Sequence, residues 1–529
     1  MARSKLIATV IMCFIAYSAT AIFAKAPDIR IRVAQYENNT LEFVMPEGGT
    51  WQLGKADSGE IVAGKIYKIT GKLLTKSQIK YHLMVTTVDL MDNEALHDKT
   101  EELQRQGFTT HTICVGEAPK AIGMPDNRVI HIGIAAFSEK EIAEEEKNRL
   151  SSKGLATWIY EENITNSSGI INMSGNGLSM TGSIGGTDGY TLRSKNGTIL
   201  KKVEFAKGYS WHGFEDRTYK GVLNINFGFD NCIDCVETTD LEDLLIGIVP
   251  SEISAKAEKA AMQAQAVAAR GEILSKKGLR HVNSGYEYCS EQHCQVYKGY
   301  LKNHQTISEK ISETAGKILM MKDKNKILDA VYSSNCGGHS SANQNIWSGG
   351  ANPHLQGVTD EKIHKNRDLT DEKQVRDYII NPPDSWCGTS GYEGANKYRW
   401  TSKIAGKDWE KVEEKANVGH IKNLKTISRD VSGRIFVMEI LGEKGSKILR
   451  RELEIRQHLG GLKSSCFVIT DVKKDKNGYI TSLEVAGAGF GHGVGMCQTG
   501  AQAMAGAKRT YDHILRHYFP EARLISLYK

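Results

Sequence analysis

Proline is scarce in this sequence: the 529 residues include 9 prolines but 52 glycines. So few prolines argue against rigid, proline-rich linkers, whereas many glycines indicate frequent turns. A bias toward disorder is also missing, because 40% of the residues are hydrophobic and 25% are charged, as in ordinary globular domains. We therefore expect roughly two to four folded domains from a chain of this length.

A large excess of one charge is missing as well. The 68 Lys and Arg residues exceed the 62 Asp and Glu residues by 6. This balance gives no indication of a nucleic-acid partner. It is compatible with an anionic polymer as partner, but it also fits a charge that simply keeps a protein in solution.

Long apolar segments are missing beyond the N-terminus, since no later segment reaches the roughly eighteen apolar residues of a membrane span. Near the start of the chain, two basic residues precede an apolar run, Leu6 to Tyr17, and small residues follow it. This order predicts a secretory signal peptide over residues 1–24, with a retained membrane anchor as the alternative. We expect a secreted or periplasmic protein with no membrane contact beyond the signal peptide.

Cysteines are numerous enough to need an explanation. The sequence has 10, and one of them, Cys13, lies in the predicted signal peptide, so nine remain. An odd number leaves at least one thiol free, bound to metal or paired between chains. A chain of this length can bury a core without disulfides, so the cysteines are expected to serve local sites. The nine are Cys114, Cys232, Cys235, Cys289, Cys294, Cys336, Cys387, Cys466 and Cys497.

The first 214 residues fall into three parts after the signal. Residues 25–77 alternate apolar and polar side chains, as half-buried strands do. Residues 78–163 predict the order β-α-β-β-α-β. Residues 164–214 are rich in Gly, Ser, Asn and Thr, which predicts a connection or short hairpins.

The middle part resembles a known small module. The order of its elements and the stretch from Ile132 to Ser138 are similar to the SPOR domain. That resemblance implies binding of peptidoglycan glycan strands that have been stripped of their peptides. A structural spacer with the same topology is the alternative, because many modules share this order.

Glu252 is the most informative single residue. It precedes an Ala-rich helix that is predicted to begin near Lys259 and to include Arg270. A carboxyl at such a junction is partly desolvated, which raises its pKa toward the value that a general acid needs near neutral pH. The alternative is a carboxylate in the first turn, stabilised by the helix dipole.

Three segments of the C-terminal half form a recognisable series: IGIVPSEI at 246–253 with AMQAQAVAAR at 261–270, VYSSNCGGH at 331–339, and GFGHGVGMCQTGA at 489–501. In this order they resemble the family of sporulation stage II protein D and the amidase enhancers. The resemblance covers roughly residues 215–529 and the first strands. It implies an α+β fold, in which mixed strands surround the Ala-rich helix and the 78–163 module is an insertion.

The resemblance also implies a function. Glu252 is expected to act as the single acid–base group of a peptidoglycan lytic transglycosylase, an enzyme that cleaves glycan strands and leaves 1,6-anhydro ends. The alternative is a non-catalytic module that binds glycan and activates a cell-wall amidase. Either implies a cell-wall-associated protein. The residues expected to bind substrate are Arg270, Ser334, Asn335, His492 and Gln498.

The glycine-rich segment at 489–501 permits a physical interpretation of its own. Glycine lets a backbone turn sharply or approach a ligand closely, and an extended polysaccharide needs such a groove. His492 and Gln498 are then expected to hydrogen-bond the sugar or the acid. The alternative is a tightly packed turn with a structural histidine.

A metal site is predicted in the polar loop after the Ala-rich helix. Two thiolates and two imidazoles suit tetrahedral zinc, and the family resemblance implies a structural zinc ion here and no organic cofactor. A Cys289–Cys294 disulfide is the alternative, and His304 or His339 can replace His281 as a ligand. The predicted ligands are His281, Cys289, His293 and Cys294.

Overall fold

The computed structural model describes residues 25–528, apart from residues 56, 119–124, 186–188, 209–210, 302–303, 348–349 and 366. The predicted signal peptide, residues 1–24, lies outside the described residues. Among the helices that are described, none combines the length and the apolar character needed to cross a bilayer.

Strands β1 to β5 and β10 to β16 form two sheets that share one core. Strand β1 shows why these residues form strands: Ile29, Ile31 and Val33 are buried, whereas the arginines between them point outward. The strands are β1 (Asp28–Tyr36), β2 (Thr40–Val44), β3 (Gly49–Leu53), β4 (Asp57–Ile61), β5 (Ile66–Thr75), β10 (Ser168–Gly175), β11 (Leu178–Gly185), β12 (Tyr190–Ser194), β13 (Thr198–Phe205), β14 (Gly213–Tyr219), β15 (Val222–Phe227) and β16 (Ile233–Asp240).

The two sheets mix strands from before and after the module. One has the order β17-β1-β16-β15-β12-β3-β4, where β17 is Tyr288–Cys289, and the other has the order β11-β10-β5-β2-β13-β14. The region 25–77 is therefore not a separate unit. Its strands pair with strands from the region 168–240, as in the antiparallel pair of β1 and β16.

Residues 164–214 were expected to form a connection or short hairpins; most of them belong to β10–β14, and β10 and β11 form an antiparallel hairpin, so the structure agrees with hairpins and not with a connection. Some of their glycines serve close packing of the strands. A Cβ on Gly169 would lie 2.4 Å from the ring of Phe227, and one on Gly182 would lie 2.3 Å from Leu53. Composition alone does not distinguish such glycines from those of a flexible linker.

The module between β5 and β10 has the six elements in the expected order. They are β6 (Gln78–Asp89), α1 (Asn93–Arg105), β7 (His111–Val115), β8 (Val129–Phe137), α2 (Lys140–Ser152) and β9 (Trp158–Thr165). The four strands form an antiparallel sheet of order β7-β8-β6-β9. Because β5 and β10 pair directly, the module is inserted between two neighbouring strands.

The C-terminal half is built around two helices, α3 (Leu241–Glu252) and α4 (Lys259–Ser275). Helix α4 is buried along almost its whole length, because its alanines let neighbouring elements approach closely. Around it lie α5 (His304–Ile311), β18 (Lys317–Met321), β19 (Tyr332–Ser333), α6 (Asn343–Ile346), β26 (Met496–Cys497), α10 (Gln498–Gly506), α11 (Tyr511–Tyr518) and β27 (Ala522–Ser526).

Residues between α6 and β26 add a second core that the sequence did not predict as a separate unit within 215–529. Trp400, Trp409 and Phe467 are buried at its centre. Its elements are α7 (Glu372–Ile380), β20 (Arg399–Ala405), α8 (Lys407–Ala416), β21 (Ile421–Arg429), β22 (Ile435–Gly442), β23 (Gly445–Arg450), α9 (Glu452–His458), β24 (Phe467–Lys474) and β25 (Ile480–Ala488). Helices and sheets thus follow each other along the whole described chain, and the predicted α+β class is confirmed.

Candidate active site

A cavity of about 410 Å³ lies at the C-terminal end of α3. Its wall combines the end of α3, the last turn of α4, the loop that follows α4, and the segments around β19 and His492. The lining residues are Glu252, Glu272, Lys276, Arg280, Gln292, His293, Cys294, Val296, Asp329, Val331, Tyr332, Trp347 and His492.

Glu252 is the last residue of α3, seven residues before α4 begins at Lys259. The alternative of a carboxylate in a helical first turn is therefore wrong. Asp240 caps the N-terminus of helix α3, and its side chain accepts a hydrogen bond from the backbone N–H of Glu242 at 2.8 Å. Glu252 lies at the opposite end, where the helix dipole disfavours a negative charge.

The surroundings of Glu252 favour its neutral form. Burial raises its pKa from 4.5 to about 7, against the hydrogen bonds from the backbone of Val296 and the side chain of Gln498, which lower it. The nearby carboxyl of Glu272 raises it further. The Val296 N–H donates to Glu252 Oε1 at 2.7 Å. At neutral pH the carboxyl is thus close to half protonated, as a group that both donates and accepts protons should be.

The other two carboxyls of the cavity wall share one cation. Lys276 Nζ lies 2.7 Å from Glu272 Oε1 and 2.9 Å from Asp329 Oδ1. Burial raises the pKa of Glu272, and Lys276 opposes that rise. Among the described residues, no ion pair involves Glu252. It is therefore the carboxyl of this wall that is available for proton transfer.

His492 lies in the wall with its ring 5.0 Å from the ring of Trp347, whose side chain is 38% exposed. Burial and the nearby Arg434 lower the pKa of His492 to about 3, so the imidazole is neutral. Its Nδ1 accepts a hydrogen bond from the Val494 N–H at 3.1 Å, and the ring also bonds the backbone of Tyr332. These bonds fix the ring, so His492 contributes a rigid surface to the cavity.

Of the other predicted contacts, Gln498 hydrogen-bonds the acid as expected, whereas Asn335 and Ser334 lie outside the cavity wall. Gln498 is buried against Glu252 and positions its carboxyl. Asn335 is fully buried, and its amide donates to the carbonyls of Cys387 and Gly394 at 3.0 Å each. Ser334 accepts a hydrogen bond from Lys397 Nζ at 3.1 Å and does not line the cavity.

Arg270 does not line the cavity either. It is fully buried in α4 and forms a two-pronged ion pair with Glu242, with N···O distances of 2.7 and 2.6 Å. A buried guanidinium needs such a partner. The prediction that Arg270 contacts substrate is therefore wrong. Its side chain joins α4 to α3.

The four predicted metal ligands lie together. One ligand atom from each of His281, Cys289, His293 and Cys294 lies within 4.8 Å of every other. His281 Nε2 is 3.4 Å from Cys294 Sγ, and His293 Nδ1 is 3.8 Å from Cys289 Sγ. The two thiols are not bonded to each other. Two sulfurs and two imidazoles at these distances fit a tetrahedral zinc ion.

A second cavity, of about 640 Å³, shares Arg280 and His293 with the first. Its other side is the module, which contributes the rings of His131, Trp158 and Tyr160. The centroid of the His131 ring lies 5.7 Å from the centroid of each of the other two rings. The two cavities adjoin at Arg280 and His293, and together they are called the trough.

Sequence reasoning missed several residues of the wall. The pair of Glu272 and Lys276 stands at an i,i+4 spacing in α4, and that spacing is a signal that could have been read. Asp329 and Arg280 gave no signal, because folding alone brings their loops to the end of α3.

Comparison with known proteins agrees with this architecture. Residues 230–321, which include α3, α4 and the predicted metal ligands, match the family described as Stage II sporulation protein. Residues 341–495, which include the second core, match a domain of unknown function (DUF8618).

Individual relatives are similar over somewhat more than half of the chain. The chain is 30% identical over 301 residues to the amidase enhancer of Bacillus subtilis, covering 53% of this chain and 40% of that protein. It is 26% identical over 298 residues to stage II sporulation protein D of Bacillus amyloliquefaciens, covering 54% and 74%. An uncharacterized protein of Brachyspira hyodysenteriae is 27% identical over 328 residues, covering 61% and 75%.

The α3–α4 unit and the segments around it thus define a domain of the stage II sporulation type. Residues 230–321 match that family, and the chain is similar to proteins named amidase enhancer and stage II sporulation protein D.

Proposed function

We propose that this protein is an exported, cell-wall-associated lytic transglycosylase that cleaves the β-1,4 bond between N-acetylmuramic acid and N-acetylglucosamine in peptidoglycan. The observation that carries the proposal is the state of Glu252. It lies in a cavity wall, has a pKa of about 7, and forms no ion pair among the described residues. A hydrolase that uses two carboxylates needs a second free one, whereas Glu272 and Asp329 are both bound to Lys276.

One carboxyl suffices for a lytic reaction. Glu252 in its acid form donates its proton to O4 of N-acetylglucosamine as the C1–O4 bond breaks. The carboxylate then accepts the proton of the muramoyl 6-hydroxyl while O6 bonds to C1. The product is a 1,6-anhydro sugar, no water is consumed, and Glu252 is protonated again. Val296 and Gln498 hold the carboxyl in place through both transfers.

The shape of the site suits a polymer. The two cavities share Arg280 and His293 and continue to aromatic rings of the module. Rings of this kind offer apolar faces to sugars, and Arg280 offers a charge to the lactyl carboxylate that a muramic acid carries once its peptide is removed. Peptide-stripped glycan strands therefore fit the trough, and the SPOR-like module fits the role of holding them.

Zinc in this proposal is structural. His281, Cys289, His293 and Cys294 would hold it in the loop between the two cavities, and its chemistry there would be to fix that loop. Cys294 and His293 line the cavity of Glu252, so a fixed loop keeps the backbone of Val296 in hydrogen-bonding distance of the carboxyl.

The test is turnover of peptide-stripped glycan strands by the purified protein in water enriched in oxygen-18. Fragments with 1,6-anhydro ends and no oxygen-18 are expected. Reducing ends that carry oxygen-18 would show hydrolysis, and intact strands would contradict an enzymatic role.

The second candidate is a non-catalytic activator of a cell-wall amidase, which the 30% identity to a protein named amidase enhancer favours. An activator needs the trough for binding and does not need Glu252 for proton transfer. Stimulation of an amidase that is the same for wild type and Glu252→Gln, without strand cleavage by either, would favour this candidate.

A further inference from the structure

A second cluster of metal-binding side chains lies in the C-terminal half, separate from the predicted zinc ligands. Cys336, Asp360, Cys387 and Cys497 each offer one ligand atom, and these atoms all lie within 4.8 Å of one another. None of the four residues is more than 2% exposed. We propose that they form a second metal site, which binds a structural zinc ion.

The sulfur distances suit a metal better than a disulfide. Cys336 Sγ and Cys387 Sγ lie 3.7 Å apart, and the edge between two sulfurs of a zinc tetrahedron is about 3.8 Å when each zinc–sulfur bond is 2.3 Å. A disulfide bond is about 2.0 Å long. Three thiols also cannot all be satisfied by one disulfide, whereas zinc binds three thiolates and a carboxylate together.

The groups around the cluster have the arrangement expected around a metal. The Cys336 N–H donates to Cys497 Sγ at 3.2 Å, as backbone groups do to metal-bound thiolates. Asp360 is held from both sides, since Tyr518 OH donates to its Oδ1 at 2.7 Å and the Cys387 N–H donates to its Oδ2 at 2.8 Å. A buried carboxylate needs a cation. The imidazole of His517 lies near Asp360, with its Nε2 3.6 Å from Asp360 Oδ1, and carries a charge only when it is protonated.

This site would connect distant parts of the chain beside Glu252. Cys497 pairs with Ser333 in the short parallel ladder of β19 and β26. The next residue, Gln498, hydrogen-bonds Glu252. Asp360 and Cys387 belong to the region between α6 and β26, whereas Cys336 and Cys497 lie outside it. Zinc would therefore join that region to the segments around β19 and β26.

The experiment is a zinc count on the full chain, expressed and purified under reducing conditions and equilibrated with zinc before dialysis. The Cys289→Ser/Cys294→Ser variant removes the first predicted site, and about one zinc per chain is expected to remain. Cobalt bound to this variant should show strong sulfur-to-metal absorption, because three thiolates surround it. A variant that holds no zinc overturns the proposal, as does a Cys336–Cys387 disulfide found by peptide mapping of the zinc-treated protein.

Further substitutions test which residues bind the zinc that remains in this variant. In the same background, Asp360→Asn should weaken zinc binding at least about tenfold, and Cys466→Ser, a buried cysteine outside the cluster, should leave it unchanged. Equal zinc affinity in both overturns the assignment. If the background variant does not fold, the reduced wild-type protein decides: two zinc ions per chain support the site, and one or none overturns it.

Discussion

Replacing Glu252 with Gln tests the central assignment with little disturbance of the structure. The amide keeps an oxygen that can accept the Val296 N–H, which lies 2.7 Å from the carboxyl. It cannot donate or accept the proton that the reaction moves. General acid–base catalysis is worth roughly 100- to 10,000-fold. Because one group performs both transfers, we expect cleavage to fall at least about 1,000-fold.

The same substitution has an expected effect on stability that depends on pH. The pKa of Glu252 rises from 4.5 to about 7 on folding, which corresponds to roughly 3 kcal/mol, since one pKa unit is worth about 1.4 kcal/mol. The folded state therefore binds more protons than the unfolded state between these two values. The free energy of unfolding of the wild-type protein therefore falls as pH rises through that window. The full decrease of roughly 3 kcal/mol is reached above about pH 7.

The glutamine variant has no carboxyl to ionise at this position, so its free energy of unfolding does not fall in this way. It should match the wild type in free energy of unfolding near pH 4.5 and exceed it at pH 8 by up to roughly 3 kcal/mol. Urea unfolding at both pH values measures the difference, and mass spectrometry of glycan fragments measures cleavage. Glu258→Gln makes the same chemical change at an exposed position outside the cavity and should alter neither.

Two results would refute this reasoning. Cleavage by Glu252→Gln within about tenfold of wild type would remove Glu252 as the acid–base group. A difference in unfolding free energy between variant and wild type that is the same at both pH values would mean that the carboxyl is not held near neutrality by the fold.

Three further predictions follow from other parts of the molecule. The Cys289→Ser/Cys294→Ser variant should contain one zinc fewer per chain than wild type by metal analysis, and a metal-free wild type with a Cys289–Cys294 crosslink would contradict this. Replacing residues 76–167 by a short turn between the paired strands β5 and β10 should leave a folded protein that sediments less with peptide-stripped peptidoglycan; unchanged sedimentation would argue for a spacer. Arg270→Met should lower the unfolding free energy by about 3–5 kcal/mol, because it leaves the carboxylate of Glu242 without its buried partner; an unchanged urea midpoint with weaker glycan binding would restore Arg270 to the substrate contacts.

The features that could be predicted from the sequence are those with local signals. The α+β class was implied by the family resemblance, and the alternating residues of β1 and the Ala-rich sequence of α4 agree with it. The four predicted metal ligands could be grouped because they lie within one short stretch of chain, residues 281–294, and the structure brings their ligand atoms within 4.8 Å of one another. The order of elements in the module followed from its turns and periodicity, whereas the order of the strands in its sheet, β7-β8-β6-β9, differs from their order along the chain.

Features that depend on distant contacts could not be predicted. The family resemblance implied that Arg270 binds substrate, but Arg270 is buried against Glu242, which lies 28 residues earlier in the sequence. For residues 164–214 the composition left open whether they form a connection or hairpins, because it does not show that Gly169 packs against Phe227. The cluster of Cys336, Asp360, Cys387 and Cys497 joins residues that are far apart in sequence and that only folding brings together.

The electrostatic cost of Glu252 also bears on the choice between enzyme and activator. Holding a carboxyl at a pKa of about 7 costs stability whenever the group ionises, and a surface that only binds glycan gains nothing from it. A polar, neutral residue in the same position would accept the Val296 N–H equally well. A side chain that lowers the stability of the folded protein is typical of a catalytic site. In the same cavity wall, Lys276 pairs with the other two carboxyls, whereas none of the described residues forms an ion pair with Glu252. This difference favours a role of Glu252 in proton transfer.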